Sequence, residues 1–399
     1  MLSTRRALLF AATAGLAVAD MYFAQPLLVT LARDFGLTPA GTGLVVTLTQ
    51  VGCAVGLLFV APLGDLVDRR RLVLALTSAS AVALVVVGTA SHPVVLLAGL
   101  VVVGLLSVVA QVLVAFGAAL AGPDRRGRVV GLVTSGVVIG ILLARVVSGV
   151  LADLAGWRAV YLVSAGATLL LAAALRRSPA DPPVRTAPRY PELLRSTAAL
   201  FATEAVFRNR ALLTIPLFAS FSLLWSGVAL PLSAPPWSLS HTAIGAFGLV
   251  AAAGAVAAAG AGRLADRGLG QWTTGVALVL LTASWLPLGF AVESLWALAL
   301  GALLLDFAVQ AVHVTSQSAV YAVRPASGSS LIGAYMACYS VGSGLGALGA
   351  SAAHQVAGWS GVSALGAVVS VAALVFWAVT TPRKPLAFAR SASDDSGYV

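Results

Sequence analysis

Asp306, Gln310, His313 and Gln317 lie four, seven and eleven residues along one apolar run. At helical spacing they fall within about 60° of one another, on a single face. The stripe holds a carboxylate, an imidazole and two amides. Lipid cannot solvate such a face, so it must look onto protein or water. Glutamines alone would be explained by hydrogen bonds between helices. An acid and a histidine beside them point to a lined pathway and to groups that can carry a proton. Two further charges, Asp20 and Arg145, also fall inside apolar runs. Each costs about 2.5–3.5 kcal/mol at a bilayer centre. Either the two form an ion pair, with Arg145 near the outer end and able to snorkel, or Asp20 titrates during function. Both roles are open at this level.

Other chemistries lack their residues. Cys53 and Cys338 are in apolar runs of different halves, and the histidines at 92, 241, 313 and 354 are scattered, so no metal-ligand spacing exists. The single lysine, Lys384, is not in a Gly-Lys-Ser/Thr context, which excludes a P-loop. Gly344, Gly346 and Gly349 match a dinucleotide pattern but lie within an apolar run with no strand before it; close helix packing explains them. No cofactor is expected.

These residues need helices that cross a membrane. Of 399 residues, 59% are hydrophobic and 10% charged, against about a quarter charged in a soluble domain. Apolar runs long enough to span recur at 7–32, 42–63, 72–90, 94–120, 129–151 and 159–175, then at 211–232, 242–262, 272–292, 295–322, 331–353 and 362–380. The first run follows Arg5-Arg6 and contains Ala17-Val18-Ala19, like a secretory signal, but it continues past Asp20 to Leu31 and is read as a retained span. Two markers repeat. Gly64-x3-Asp68-Arg69 returns as Gly262-x3-Asp266-Arg267, and Gly156-Trp157 returns as Gly358-Trp359. The expected fold is all-α, with twelve transmembrane helices in two pseudo-symmetric six-helix bundles. The expected divisions are 1–175, a linker at 176–210 holding a short amphipathic helix from Pro191, 211–380, and a disordered tail at 381–399.

The chain carries a formal charge of +10. In a soluble protein that would suggest nucleic acid; here the arginines crowd the hinges, so no nucleic-acid partner is expected. With the N-terminus in the cytoplasm, cytoplasmic segments hold 21 of the 24 Lys and Arg, and only Arg33 and Arg158 lie outside. Both termini and the linker are therefore expected in the cytoplasm.

The hinges resemble the loop signature of the major facilitator superfamily, between spans 2–3 and 8–9. The resemblance covers the whole chain. The second copy is the cleaner; the first has Arg70 and Arg71 where the family has a later glycine. More narrowly, residues 20–28, from Asp20 through Gln25 and Pro26, resemble the first span of bacterial sugar or drug efflux permeases. Gly136-x3-Gly140 through Arg145, Ser148-Gly149 and Gly156-Trp157-Arg158 resemble their fifth span and the loop after it. The chain departs from drug antiporters in lacking a proline after Gly140 and in having Gln111 where span 4 would carry an arginine.

The resemblance implies a loop latch made of Gly64, Asp68, Arg69, Gly262, Asp266 and Arg267. It also implies two bundles rocking about a central site on spans 1, 4, 7 and 10. Asp20 and Asp306 are the candidate proton carriers, with His313, and Arg145 tunes an acid. Tyr22, Gln25, Gln111, Trp225, Gln310 and Gln317 line the path. The expected activity is proton-coupled efflux of a small organic molecule, a drug or sugar, by a monomer in the inner-membrane bilayer. Uptake on the same fold is the alternative, and a membrane sensor a more distant one. Single cysteines at positions 240 and 391 test the topology. Reagent confined to the outside should label residue 240 alone in intact cells, and labelling of residue 391 would overturn it.

Overall fold

The computed structural model describes residues 3–121, 125–177, 189–323 and 328–381. The central linker prolines, Arg185, Arg324, Arg383, Lys384, Arg390 and the expected disordered tail beyond residue 381 lie outside them. No strand occurs among the described residues. Nine helical stretches there are long and apolar enough to cross a membrane. One, Leu331–Thr380, turns back at Ala357 and Gly358, where Gly358 takes φ +59°, and is two spans. Two more spans are interrupted and complete the expected twelve. Span 1 is Thr4–Ala19, a turn, then Gln25–Leu27 and Leu28–Asp34. Span 8 is His241–Phe247, a tight turn at Gly248–Ala251, then Ala252–Asp266.

Local chemistry sets these boundaries. Thr38 Oγ1 accepts from the Gly41 amide and Pro39 occupies the first turn, which starts span 2, Pro39–Val55 continued by Gly56–Val60 and Ala61–Asp65. Asp68 Oδ1 accepts from the Arg71 amide at 3.1 Å and starts span 3, Arg69–Gly88. Span 4 is Pro93–Leu106 and Val109–Leu120; span 5 is Arg126–Ala155; span 6 is Trp157–Leu175. Span 7 is Ala205–Gly227 with Ala229–Ser233, span 9 Gly270–Ala283 with Trp285–Gly289, and span 10 Leu295–Val323. The break in span 1 follows from Pro26, which has no amide hydrogen and obstructs the preceding turn. The backbone tightens to three-residue bonds there: Gln25 N to Tyr22 O, and Leu27 N to Ala24 O.

The linker helix runs over Tyr190–Thr203. Leu200 packs with Phe207, Val320 and Leu331 under the second bundle, and Tyr190 Oη donates to the Phe59 carbonyl at 2.8 Å. Arg210 was expected as the last residue of the 176–210 linker. It lies inside the span 7 helix and is buried, with Nη1 donating to Thr274 Oγ1 and Nη2 to Gln271 Oε1.

Apolar surface gains nothing by leaving lipid, so the spans cohere through close backbone packing. Outward positions such as Leu170, Trp296 and Val379 stay exposed. Gly52 and Gly104 let spans 2 and 4 touch backbone to backbone: a Cβ on either would strike the carbonyl of Val101 or of Thr49. Gly346, from the false dinucleotide pattern, packs on the Ala219 backbone of span 7 in the same way. Gly104→Val should therefore cost about 1–3 kcal/mol by overpacking. It should lower the thermal midpoint in detergent, whereas Gly131→Ala, whose added Cβ meets open space, should leave it unchanged or raise it.

Candidate functional site

Arg145 is 2% exposed, in the middle of span 5. It does not snorkel as the sequence suggested, because span 8 covers it. The aliphatic stem lies on Gly248, where a Cβ would come within 2.9 Å of Cδ. Its Nε donates to Gln25 Oε1 at 2.6 Å, and Gln25 is presented by the break in span 1. The guanidinium lies over the Trp225 ring at 4.2 Å, with Tyr22 at 5.3 Å and Phe221 at 5.8 Å. Such faces attract a cation by about 2 kcal/mol or more when water is excluded. Nη1 and Nη2 have no hydrogen-bond partner.

Asp306 stands across the bundle interface from this group. Its Oδ1 accepts from Trp225 Nε1 at 3.0 Å, while Oδ2 is unpartnered. Each charge lies in the other's field. The span 10 stripe does face inward. Gln310 packs beside Gly254 of span 8. His313 Nδ1 is 3.0 Å from Tyr335 Oη, and its ring meets the edge of Phe218. Gln317 Nε2 lies 3.9 Å from Met336 Sδ. Gln111 is half-buried on the Val109–Leu120 helix of span 4.

Sequence reasoning missed several members. Tyr339 shares a hydrogen bond with Tyr22 across the bundles and packs on Phe218 at 4.1 Å. Tyr335 and Tyr339, four residues apart in span 11, form a polar-tipped stripe that the spacing argument used on span 10 would have found. Gln50, buried on span 2 where it crosses Gly344, has an unpartnered Oε1.

Asp20 is elsewhere, and the ion pair considered for it with Arg145 is not formed. Asp20 Oδ1 accepts from Ser164 Oγ at 2.5 Å, inside the first bundle. It borders a cavity of about 10 Å³ with Thr13, Thr77, Ser80 and Thr168. The physical reason is helical register: Asp20 ends the Thr4–Ala19 helix on the face of Thr13, Leu16 and Ala17, toward spans 3, 4 and 6, and the break that follows presents Gln25 to Arg145.

Two faces of the molecule differ. On the face opposite the basic hinges, Asp153 of span 5 receives the His241 and Thr242 amides at 3.2 and 2.8 Å, capping span 8 from the other bundle. His241 Nδ1 is 2.7 Å from the same carboxylate, and its Nε2 is 2.7 Å from Thr30 Oγ1 of span 1. On the hinge face, Asp68 is occupied as a helix cap and Arg69 pairs with Asp65 at 3.1 Å. Asp266 and Arg267 are exposed at the end of span 8, next to half-buried Gly262; Gly64 is buried in span 2's last turn. Among the described residues no cluster of three His, Cys, Asp or Glu could hold a metal.

Two helical bundles meeting across a sealed, charged site in a membrane are the build of a transporter that alternates access between two faces. The chain belongs to the major facilitator superfamily, whose family model matches residues 10–273. It is 43% identical over 376 residues to an uncharacterized transporter of Escherichia coli (strain K12), YgaY, covering 94% of this chain and 95% of that one. Among solved structures it resembles a bacterial homolog of the human lysosomal transporter Spinster, inward-facing and occupied, with TM-score 0.72 and 17% identity over 94% and 95% of the two chains. It also resembles a D-xylose–proton symporter, with TM-score 0.70 and 16% identity over 95% and 98%. Family and relatives make this chain a multi-pass membrane transporter, not an enzyme.

The separation of Asp20 from Arg145 has a measurable consequence. Asp20→Asn and Arg145→Gln share no partner, so their effects on stability should add within about 0.5 kcal/mol. Trp225→Phe and Asp306→Asn share one hydrogen bond and should be non-additive. Rescue of Asp20→Asn by Arg145→Gln would restore the ion pair.

Proposed function

We propose that the chain is a proton-coupled secondary transporter of the inner membrane. It exports a small organic molecule, such as a drug or a sugar, in exchange for protons, and works as a monomer. The observation that carries this reading is Asp306: a carboxylate 2% exposed, with one oxygen free, beside Arg145 at the bundle interface. A buried acid there can be reached from either face as the bundles rock, which is what coupling requires. Asp20, His313 and Arg145 complete the proton-coupling group. Tyr22, Gln25, Gln111, Trp225, Gln310 and Gln317 line the substrate path.

The moving units in this reading are 1–175 and 211–380, joined by 176–210, with the basic face and both termini cytoplasmic. The Asp153–His241–Thr30 clasp then closes the outer face. The hinge loops carrying Gly64, Asp68, Arg69, Gly262, Asp266 and Arg267 close the inner face in the opposite state.

Uptake together with protons is the second reading, and the Arg145–Asp306 relation favours it. A ligand that engages the guanidinium takes away the cation that neutralises Asp306. A proton replaces that cation, and ligand and proton travel together.

Accumulation of a panel of labelled drugs and sugars in expressing cells, with and without an uncoupler, separates the readings. For export, an uncoupler should raise accumulation of the transported compound, and for uptake it should lower it. In either case Asp306→Asn, at equal expression, should remove the uncoupler's effect. Retention of the full effect in that variant would remove Asp306 from the mechanism.

A further inference from the structure

Arg145 and Arg210 are the same residue type, both buried inside spans, and they are satisfied differently. Arg210 has both terminal nitrogens bonded, to Thr274 and Gln271. Arg145 has neither. Its Nε is taken by Gln25, and its Cζ lies over the Tyr22 and Trp225 rings, so Nη1 and Nη2 are the donors that remain. A sealed, half-satisfied cation is among the costliest groups a protein can hold. Asp306 does not relieve it. One carboxylate oxygen is engaged by Trp225, and among the described residues no ion-pair contact joins it to Arg145.

The unmet demand is therefore for two parallel acceptors. A guanidinium edge presents two N–H donors with the spacing of a carboxylate, and such bidentate bonds are about twice as strong as neutral ones. Beside the guanidinium lie Tyr22, Phe221 and Trp225, flat and largely apolar. Three of the groups, Arg145, Gln25 and Tyr22, belong to the first bundle; Phe221, Trp225 and Asp306 belong to the second. A ligand on this edge touches both moving units.

We infer that the transported molecule carries a carboxylate that docks on the free edge of Arg145, with an aromatic or apolar body against Tyr22, Phe221 and Trp225. This rests on the reading of the Arg145–Asp306 region as the transport site, in the second form given above, uptake together with protons, and it names the substrate class of that site. Arg145 and Asp306 together are neutral. A bound monoanion would leave one uncompensated negative charge in the membrane. A proton on Asp306 removes it, so the carboxylate and one proton occupy the site together.

The test uses the purified full chain in detergent and three probes of nearly one shape: benzoate, benzamide and benzylammonium. Binding is read by thermal shift and by calorimetry. Benzoate should bind about ten- to a hundredfold more tightly than benzamide, the range that charge-assisted hydrogen bonds supply. Benzylammonium should not compete. Benzoate binding should take up a proton, seen as a heat that varies with the ionisation enthalpy of the buffer; in Asp306→Asn that uptake should vanish while benzoate still binds. Arg145→Lys keeps the charge but loses the fork, and should reduce the preference for benzoate over benzamide. The selectivity of the wild-type chain decides the matter even if variants misfold. Equal binding of benzoate and benzamide, tighter binding of benzylammonium, or no shift with benzoate at about 10 mM would overturn the inference. Uncoupler-sensitive transport of neutral compounds alone would sink the carboxylate and leave the transporter reading standing. Selective benzoate binding without an uncoupler effect would do the reverse.

Discussion

A permanently charged guanidinium held between helices in a bilayer is the constraint around which this molecule is arranged. Arg145 cannot discharge its cost by losing a proton. Its surroundings must compensate it. Aromatic faces supply part of this, and Gln25 another part. Delivering Gln25 requires span 1 to break, and Pro26 breaks it. Covering the stem requires span 8 to approach span 5 to backbone distance, and Gly245 and Gly248 allow that: a Cβ at Gly245 would strike the Arg145 carbonyl. The indole that lies over the cation also holds Asp306. One charge thus ties spans 1, 5, 7, 8 and 10 together.

The two sides of the bundle interface are built differently. Spans 2 and 11 meet along much of their length. Gly43 lies against Ser351, Thr47 Oγ1 donates to the Gly344 carbonyl at 2.8 Å, and Gly333 approaches Leu57. Spans 5 and 8 meet where 145–149 crosses 241–248, and nearer the basic face Gly131 and Gly260 look onto open space. The first contact is a long seam of small residues, and the second is a pivot beside the charge. Rocking about such a pivot can separate the hinge face while the clasp of Asp153, His241 and Thr30 keeps the other face shut.

Much of this was legible in the sequence, for identifiable reasons. Twelve runs were visible because lipid demands long apolar helices, and the basic face because arginines avoid the far side. The inward facing of Asp306, Gln310, His313 and Gln317 followed from helical period alone. Whether Asp20 pairs with Arg145 was left open, because the sequence does not say which spans its face meets; Thr13, Leu16 and Ala17 share that face, turned into the first bundle. The role of Asp153 was hidden because its partners are backbone amides 88 and 89 residues away, with no motif of their own. Arg210 was misjudged because a basic residue after a linker reads as surface; Gln271 and Thr274 satisfy it from the next hairpin.

Switching between faces must break interactions of quite different strength. At the clasp, one carboxylate serves two amides at a helix start as well as an imidazole, a geometry that favours a negative charge by about 0.3–2 kcal/mol before the hydrogen bonds are counted. At the centre, the Arg145 cation of the first bundle lies over Trp225 of the second, and Trp225 holds Asp306 within that second bundle. Turning a two-state equilibrium fully over takes about 5.5 kcal/mol of differential binding. The clasp is exposed enough for water to replace its bonds, so releasing it costs little of that sum. The central group is buried, and because Trp225 and Asp306 sit in one bundle, separating the bundles takes both the ring and the counter-charge from Arg145. A membrane-embedded arginine drawn away from its acid is costly, so the central group holds the two bundles together more firmly than the clasp does.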